Sequence, residues 1–348
     1  MQIQPEQLTR LRSMGWRENS PAAEAYAQAV EGRLARVTEQ HRTGYVVDEG
    51  EREFKVQAPA PWTRGNFPPE QRAAVGDWVR LAEAEDLIID WLPRFGVLKR
   101  AAAGEHYKQQ LIATNIDRVL VVCGLDGDFN PRRLERYLVL VRGSGAEAVF
   151  VLTKSDLCGD ENADLALETL EMLEEAGAKL IALNARSLES VAVLTPLLGP
   201  GVTAVLVGSS GAGKSTLTNS LLGIERQKTK AVRANDSRGR HTTTHRALLR
   251  LPSGGCLIDT PGMRELKLTG EETLDRTGFD HIEALAAQCR FRDCQHEREP
   301  GCAVQAALDA DQLDPGALSN YRKLQAELEL AQRTLKKRER DGPPRRRR

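Results

Sequence analysis

TAVLVGSSGAGKSTLTNSLL, residues 203–222, joins an apolar strand, a glycine-rich turn and the start of a helix. Gly208, Gly213, Lys214 and Ser215 match G-x-x-x-x-G-K-[ST] in the strand-to-helix context that this motif requires. The glycines let the backbone curl closely around a phosphate. The amides of Ser209, Ser210, Gly211, Ala212 and Thr216 can then point inward at the start of the helix. Lys214 is expected at the β- and γ-phosphates of a nucleotide, and Ser215 on its Mg²⁺.

Downstream, CLIDTPG at 256–262 is an apolar strand ending in D-x-x-G. Asp-x-Pro-Gly alone is a common turn. At this distance after a phosphate loop, Asp259 is expected to hold Mg²⁺ through water and the Gly262 amide to face the γ-phosphate. Between the two lies AVRANDSRGRHTTTHRA, residues 231–247, polar and poor in strand formers. One of Thr242, Thr243 and Thr244 can complete the metal shell, and Thr243 is the choice. The residue after D-x-x-G is Met263, which cannot orient water by hydrogen bonding. His241 is the nearest candidate for that catalytic task, beside Lys214 as the charge stabiliser.

Upstream, AVFVLTKSDL at 148–157 ends in Thr153-Lys154-Ser155-Asp156, which resembles the guanine-reading N/T-K-x-D of GTPases. Ionised, Asp156 offers two acceptor oxygens to the N1–H and N2–H₂ donors of guanine, a pair that adenine lacks. In LNARS, residues 183–187, Ala185 is assigned to the guanine O6. A conventional GTPase meets the phosphate loop first and the guanine loop later. Rotating that order places every motif, and a compact domain with neighbouring termini tolerates such a circular permutation. Two rivals stay open on the residues alone: a P-loop ATPase or kinase, and a nucleotide-sensing scaffold without catalysis.

Around this α/β segment the chain changes character. Residues 1–30 are a polar, helical extension. Residues 31–98 hold five short strands rich in Val, Ile and aromatics, which suits a small closed barrel of OB-fold or SH3-like type. Residues 99–270 alternate strand and helix, the pattern of a parallel sheet covered on both faces. In 271–315, Cys289, Cys294, His296 and Cys302 form C-x₄-C-x-H-x₅-C, a closed set for one structural Zn²⁺ in a small helical unit. Residues 316–348 form a helix and a basic tail, with nine Lys/Arg and two acids from Arg333 onward, read either as a solvated end or as an arm for phosphates. No apolar run is long enough to span a bilayer, and the N-terminus has no apolar h-region. A cytoplasmic chain without a membrane partner is expected.

The permuted order TKSD, GSSGAGKST, GRHTTT and DTPG, followed by CRFRDCQHEREPGC, resembles the ribosome small subunit-dependent GTPase A family over residues 31–315. The resemblance implies a multidomain fold: an all-β OB-fold barrel, a circularly permuted α/β P-loop GTPase domain, and a small helical zinc-binding domain. It implies GTP hydrolysis to GDP stimulated by the small ribosomal subunit, late in that subunit's assembly, through rRNA. Basic residues of the barrel (Arg33, Arg36, Arg42, Lys55, Arg64 and Arg80) are candidates to follow RNA backbone. A monomer is expected.

Overall fold

The computed structural model describes residues 3–41, 44–65, 67–101, 109–223, 246–261, 267–274 and 278–341. The chain opens with two short helices, α1 (Pro5–Ser13) and α2 (Pro21–Gln28). Each has proline in its first turn, and the Ser20 hydroxyl caps α2 by accepting the Ala23 amide at 3.2 Å. Few apolar residues are present, but Leu11, Met14, Trp16 and Tyr26 are all buried. The Trp16 ring meets Trp78 edge to face, 5.0 Å between centroids. The stretch read as a polar extension is thus packed into the body of the protein.

Strands β1 (Arg33–Gln40), β2 (Gly44–Asp48), β3 (Glu53–Gln57), β4 (Trp78–Leu81) and β5 (Ile88–Trp91) form a barrel. β1 pairs antiparallel with β2 and β4, β2 with β3, and β4 with β5. A parallel bridge from Gln57 to Leu87 closes the ring in the order β1-β2-β3-β5-β4. This is the closed five-stranded barrel of an OB-fold. Ala35, Val37, Tyr45, Val47, Trp62, Val79 and Ile88 fill its interior.

A hairpin, β6 (Leu98–Ala101) with β7 (Gln109–Ala113), leads into the second sheet. That sheet contains β8 (Arg118–Gly124), β9 (Glu147–Thr153), β10 (Lys179–Ala182), β11 (Thr203–Val207), β12 (Ala247–Arg250) and β13 (Cys256–Asp259). Its order is β10-β9-β8-β11-β13-β12, with only β12 antiparallel. Along β8, Val119, Val121 and Cys123 join one buried cluster, while Leu120 and Val122 join another. Alternation on two buried faces explains why the strand reads as an unbroken apolar run. The covering helices are α3 (Pro131–Ser144), α4 (Ser155–Cys158), α5 (Asp160–Thr169), α6 (Glu171–Glu175), α7 (Leu188–Val191) and α8 (Lys214–Leu221). From β8 the chain steps outward through β9 to β10, then returns to lay β11 on the other side of β8. A ligand crevice is expected at that reversal, beyond the C-terminal ends of β8 and β11.

Three further helices, α9 (Asp280–Ala286), α10 (Ala303–Asp309) and α11 (Pro315–Asp341), complete the chain. Ala317, Leu318, Tyr321, Leu324, Leu328 and Ala331 are buried at helical spacing along α11. Ion pairs from α3 flank the contact: Arg132 to Asp314 and Arg136 to Glu327, both 2.6 Å. Burying each leucine contributes roughly 1.5–3 kcal/mol. An exposed ion pair contributes about 0.2–1 kcal/mol, so packing holds this helix. No helix among the described residues is long and apolar enough to cross a membrane.

Barrel, sheet and N-terminal helices meet at Arg36, whose side chain is fully buried. Its guanidinium donates to the carbonyls of Met14, Gly76 (3.2 Å) and Asn115 (3.0 Å) and to the Thr203 hydroxyl (2.9 Å). It also lies over the Trp78 ring, 5.2 Å from the centroid. Burial pushes its pKa down, and nearby Cys256, Asp117 and Asp77 oppose that shift. Arg36 therefore cannot touch RNA, contrary to the expectation for the barrel's basic residues. Arg36→Leu is expected to lower stability by about 3–5 kcal/mol, because three buried carbonyls lose their donor. Urea unfolding followed by tryptophan fluorescence, which reads Trp16 and Trp78 beside the site, checks this.

Candidate nucleotide site and metal centre

The loop between β11 and α8 presses against the neighbouring strand. Gly208 has φ +144°, and a Cβ there would collide with the Val122 carbonyl. Gly213, at φ +98°, precedes the first residue of α8 in a left-handed conformation. A Cβ there would stand 3.0 Å from the Thr153 hydroxyl. Both positions therefore require glycine. Lys214 is buried, and its Nζ donates to the carbonyls of Gly208 (2.8 Å) and Ser209 (2.6 Å). Burial pulls the Lys214 pKa down, while the charges of Asp259 and Asp128 raise it. Ser209 and Ala212 are buried, Ser210, Gly211 and Ser215 are exposed, and Thr216 is half-buried.

Thr153, at the end of β9, reaches across to this loop. Its hydroxyl donates to the Ala212 carbonyl at 2.6 Å. Lys154 follows at φ +65°, and its ammonium pairs with Asp126 at 2.6 Å. Ser155 starts α4, with Asp156 exposed beside it. Ala185 is buried, and its carbonyl accepts the Ser220 hydroxyl of α8 at 2.7 Å. The segments carrying TKSD and LNARS are thus both bonded to the glycine-loop unit, although 59 residues separate Thr153 from Ala212. Asp259 is buried at the end of β13, the strand beside β11, and its charge reaches Lys214. His241, Thr243 and Gly262 lie outside the described residues.

Two acids of the crevice escaped the sequence reading. Asp126 and Asp128 sit in the loop after β8, the strand between those carrying the two motif loops. Asp126 holds Lys154. Asp128 accepts the Ser209 hydroxyl at 2.6 Å and pairs with Arg133 at 2.8 Å. The available signal was an Asp-Gly-Asp directly after an apolar strand, at the end where ligands collect.

Closer to the C-terminus in sequence, the ligand atoms of Cys289, Cys294, His296 and Cys302 all lie within 4.8 Å of one another. His296 Nδ1 is 3.5 Å from the sulfurs of Cys289 and Cys302, which are 3.8 Å apart. A tetrahedron with metal–sulfur bonds of about 2.3 Å and a metal–nitrogen bond of about 2.0 Å has edges of roughly 3.8 and 3.5 Å. The cluster can therefore hold a metal ion. Its loop is built around Glu299, whose carboxylate accepts the amides of Gln295, Glu297 and Arg298 at 2.8–3.0 Å. Those amides, Gln295 foremost, hold its pKa down at about 2. Gln305 and Arg322 both donate to the His296 carbonyl, tying the loop to α10 and α11.

Residues 91–269 match the family model described as RsgA GTPase. The chain is 60% identical to the small ribosomal subunit biogenesis GTPase RsgA of Xanthomonas campestris over 93% of its own length and 90% of the relative's. It is 58% identical to the protein of that name in Xanthomonas euvesicatoria, over 95% and 92%. Among solved structures it resembles YjeQ from Thermotoga maritima, with a TM-score of 0.60, 25% identity and coverage of 86% of this chain and 99% of that one. The fold also matches YloQ, described as a circularly permuted GTPase, with a TM-score of 0.57 and 23% identity over 87% and 96%.

Thr153→Val keeps the side-chain shape and removes the bond to Ala212. Guanine-nucleotide affinity is expected to fall about three- to tenfold, and stability by about 1–3 kcal/mol because the buried Ala212 carbonyl loses its donor. Titration with a fluorescent GDP analogue checks this.

Proposed function

The chain belongs to the RsgA GTPase family, and from that premise we propose that it hydrolyses GTP to GDP and phosphate on the small ribosomal subunit during late maturation, bound to rRNA. The observation that carries this reading is the hydrogen bond from Thr153 to the Ala212 carbonyl, which sets a guanine-type loop against a phosphate-type loop.

In this reading Asp156 takes the N1–H and N2–H₂ of guanine and the buried Ala185 segment lines the O6 side. The amides from Ser209 to Thr216 hold the phosphates. Lys214 leaves its two loop carbonyls for the β- and γ-phosphate oxygens. Ser215, exposed at the start of α8, and buried Asp259 suit a Mg²⁺ bound with GTP, with Thr243 as the further ligand. Bound there, that ion neutralises phosphate charge. Gly262 is assigned to the γ-phosphate through its amide. His241 is assigned to orient water, a task that Met263 cannot perform. A group brought by the ribosomal subunit can then complete the site, and turnover by the isolated chain is expected to be slow.

For the Cys₃His cluster we assign one structural Zn²⁺. Four protein ligands leave no open position for chemistry, and three thiolates with one imidazole suit that ion. Of the barrel cations, Lys55 and Arg64 are exposed and suit a phosphate backbone, whereas Arg33 and Arg80 already pair with Glu49 and Asp90. The protein acts as a monomer in the cytoplasm.

GTP turnover, measured with and without purified small subunits, is expected to rise about tenfold or more, or roughly 1.4 kcal/mol off the barrier. ATP at the same concentration should not be turned over. No stimulation, or equal use of ATP, counts against the reading. Metal analysis is expected to find one zinc per chain. Cys294→Ser should lose it and become protease-sensitive within 289–302, since metal binding supplies the folding free energy of such a loop.

A further inference from the structure

The loop after β8 lies between the two motif loops and is bonded to both. Leu125 donates its amide to the Thr153 carbonyl at 2.8 Å, and Asp126 holds the Lys154 ammonium. Two residues on, the Asp128 carboxylate is held from three sides. Oδ1 accepts from Arg133 and from the Ser209 hydroxyl, and Oδ2 accepts the Gly124 amide at 3.3 Å. Arg133 is itself fixed in the first turn of α3, which Asn130 caps through the Arg133 amide at 3.0 Å. Asp128 is therefore a rigid acceptor that points at the phosphate loop.

Ser209 is the residue where a small shift has the largest consequence. It follows Gly208 directly, and the carbonyls of these two residues are the ones that hold Lys214. The backbone at this glycine lies close against the neighbouring strand, since a Cβ there would collide with the Val122 carbonyl oxygen. A hydroxyl buried beside a carboxylate at 2.6 Å forms a charge-assisted bond, stronger than a neutral one. Moving Ser209 would move the Lys214 ammonium and the amides that follow it. Asp128 also contributes negative charge that favours the protonated lysine.

We propose that Asp128 is a positioning residue for the nucleotide: through the Ser209 hydroxyl it sets the phosphate loop, and with it Lys214, in the geometry that receives the phosphates. It touches neither substrate nor metal. The inference rests on reading Gly208–Thr216 as the phosphate loop. Because Lys214 serves both in binding the phosphates and in stabilising charge, removing the bond should weaken nucleotide binding and lower kcat by no more than it raises KM.

The test measures dissociation constants for fluorescent GDP and a non-hydrolysable GTP analogue, together with kcat and KM for GTP, on the full chain. Asp128→Ala and Ser209→Ala should each weaken both nucleotides about three- to tenfold and raise KM similarly. The kcat should fall by no more than KM rises. The double variant should bind no more weakly than Asp128→Ala alone, since the two side chains act through one bond. Asp128→Asn, which keeps an acceptor oxygen in place, should recover most of the affinity. Ser209→Ala is a one-atom deletion and serves if Asp128→Ala fails to fold. Unchanged affinities in folded variants, additive losses in the double variant, or a fall in kcat with KM unchanged would each overturn the proposal while leaving the phosphate loop in place. A wild-type chain that binds no GDP would overturn both.

Discussion

Arg36 carries its charge into a site without solvent, and segments far apart in the chain close around it. Met14 comes from the turn after α1, Gly76 from the barrel, Asn115 from the link into the second sheet, and Thr203 from the strand before the phosphate loop. Burying a guanidinium costs several kcal/mol unless its donors are satisfied, so the four acceptors must arrive together. The barrel and the nucleotide sheet are consequently one body, with a direct strand pairing between Glu39 of β1 and Ala247 of β12. Trp78, packed under Arg36 and against Trp16, seals the same junction with apolar surface.

The C-terminal helices are joined to the sheet in a different way. The connector beyond β13 is anchored at Glu272, a buried carboxylate that accepts the amides of Thr269 and Gly270 and the Thr269 hydroxyl, all at 2.9–3.0 Å. Its neighbour Glu271 pairs with Lys99 of the β6–β7 hairpin at 2.6 Å. Gly270 lies so close to the backbone of Ala331 and Gln332 that a side chain would displace α11. The cysteine cluster is therefore fixed to α3 through α11, and α3 begins just after the loop that carries Asp126 and Asp128. The candidate nucleotide crevice and the cysteine cluster share a helix as their common support.

The candidate site could be proposed from the sequence because its motifs are local. A glycine loop, a D-x-x-G and a T-K-x-D each declare their chemistry within a few residues, and the strand-helix rhythm around them declares a parallel sheet. The cysteine cluster was equally readable, since its four ligands fall within fourteen residues. Asp126 and Asp128 carry only a weak local signal, an Asp-Gly-Asp after an apolar strand, and their roles depend on distant partners. Their partners are Lys154, 28 residues later, and Ser209, 81 residues later. The N-terminal helices were misjudged in the same way: a few apolar residues in a polar stretch look like an extension until Trp78 is seen against Trp16.

By itself, then, the amino-acid sequence determined the order of the motifs, the permutation, the five-stranded β unit followed by a parallel sheet, and the four residues of the cysteine–histidine cluster. Each depends on residue type and short spacing, which local backbone chemistry reads directly. Only the tertiary structure decided which arginine is a buried keystone and which is free to meet an anion. It also decided that α11 folds back on α3, and that the loop after β8 is bonded to both candidate nucleotide loops. Those outcomes depend on which distant groups share a low-dielectric space, where an unpaired polar atom is costly.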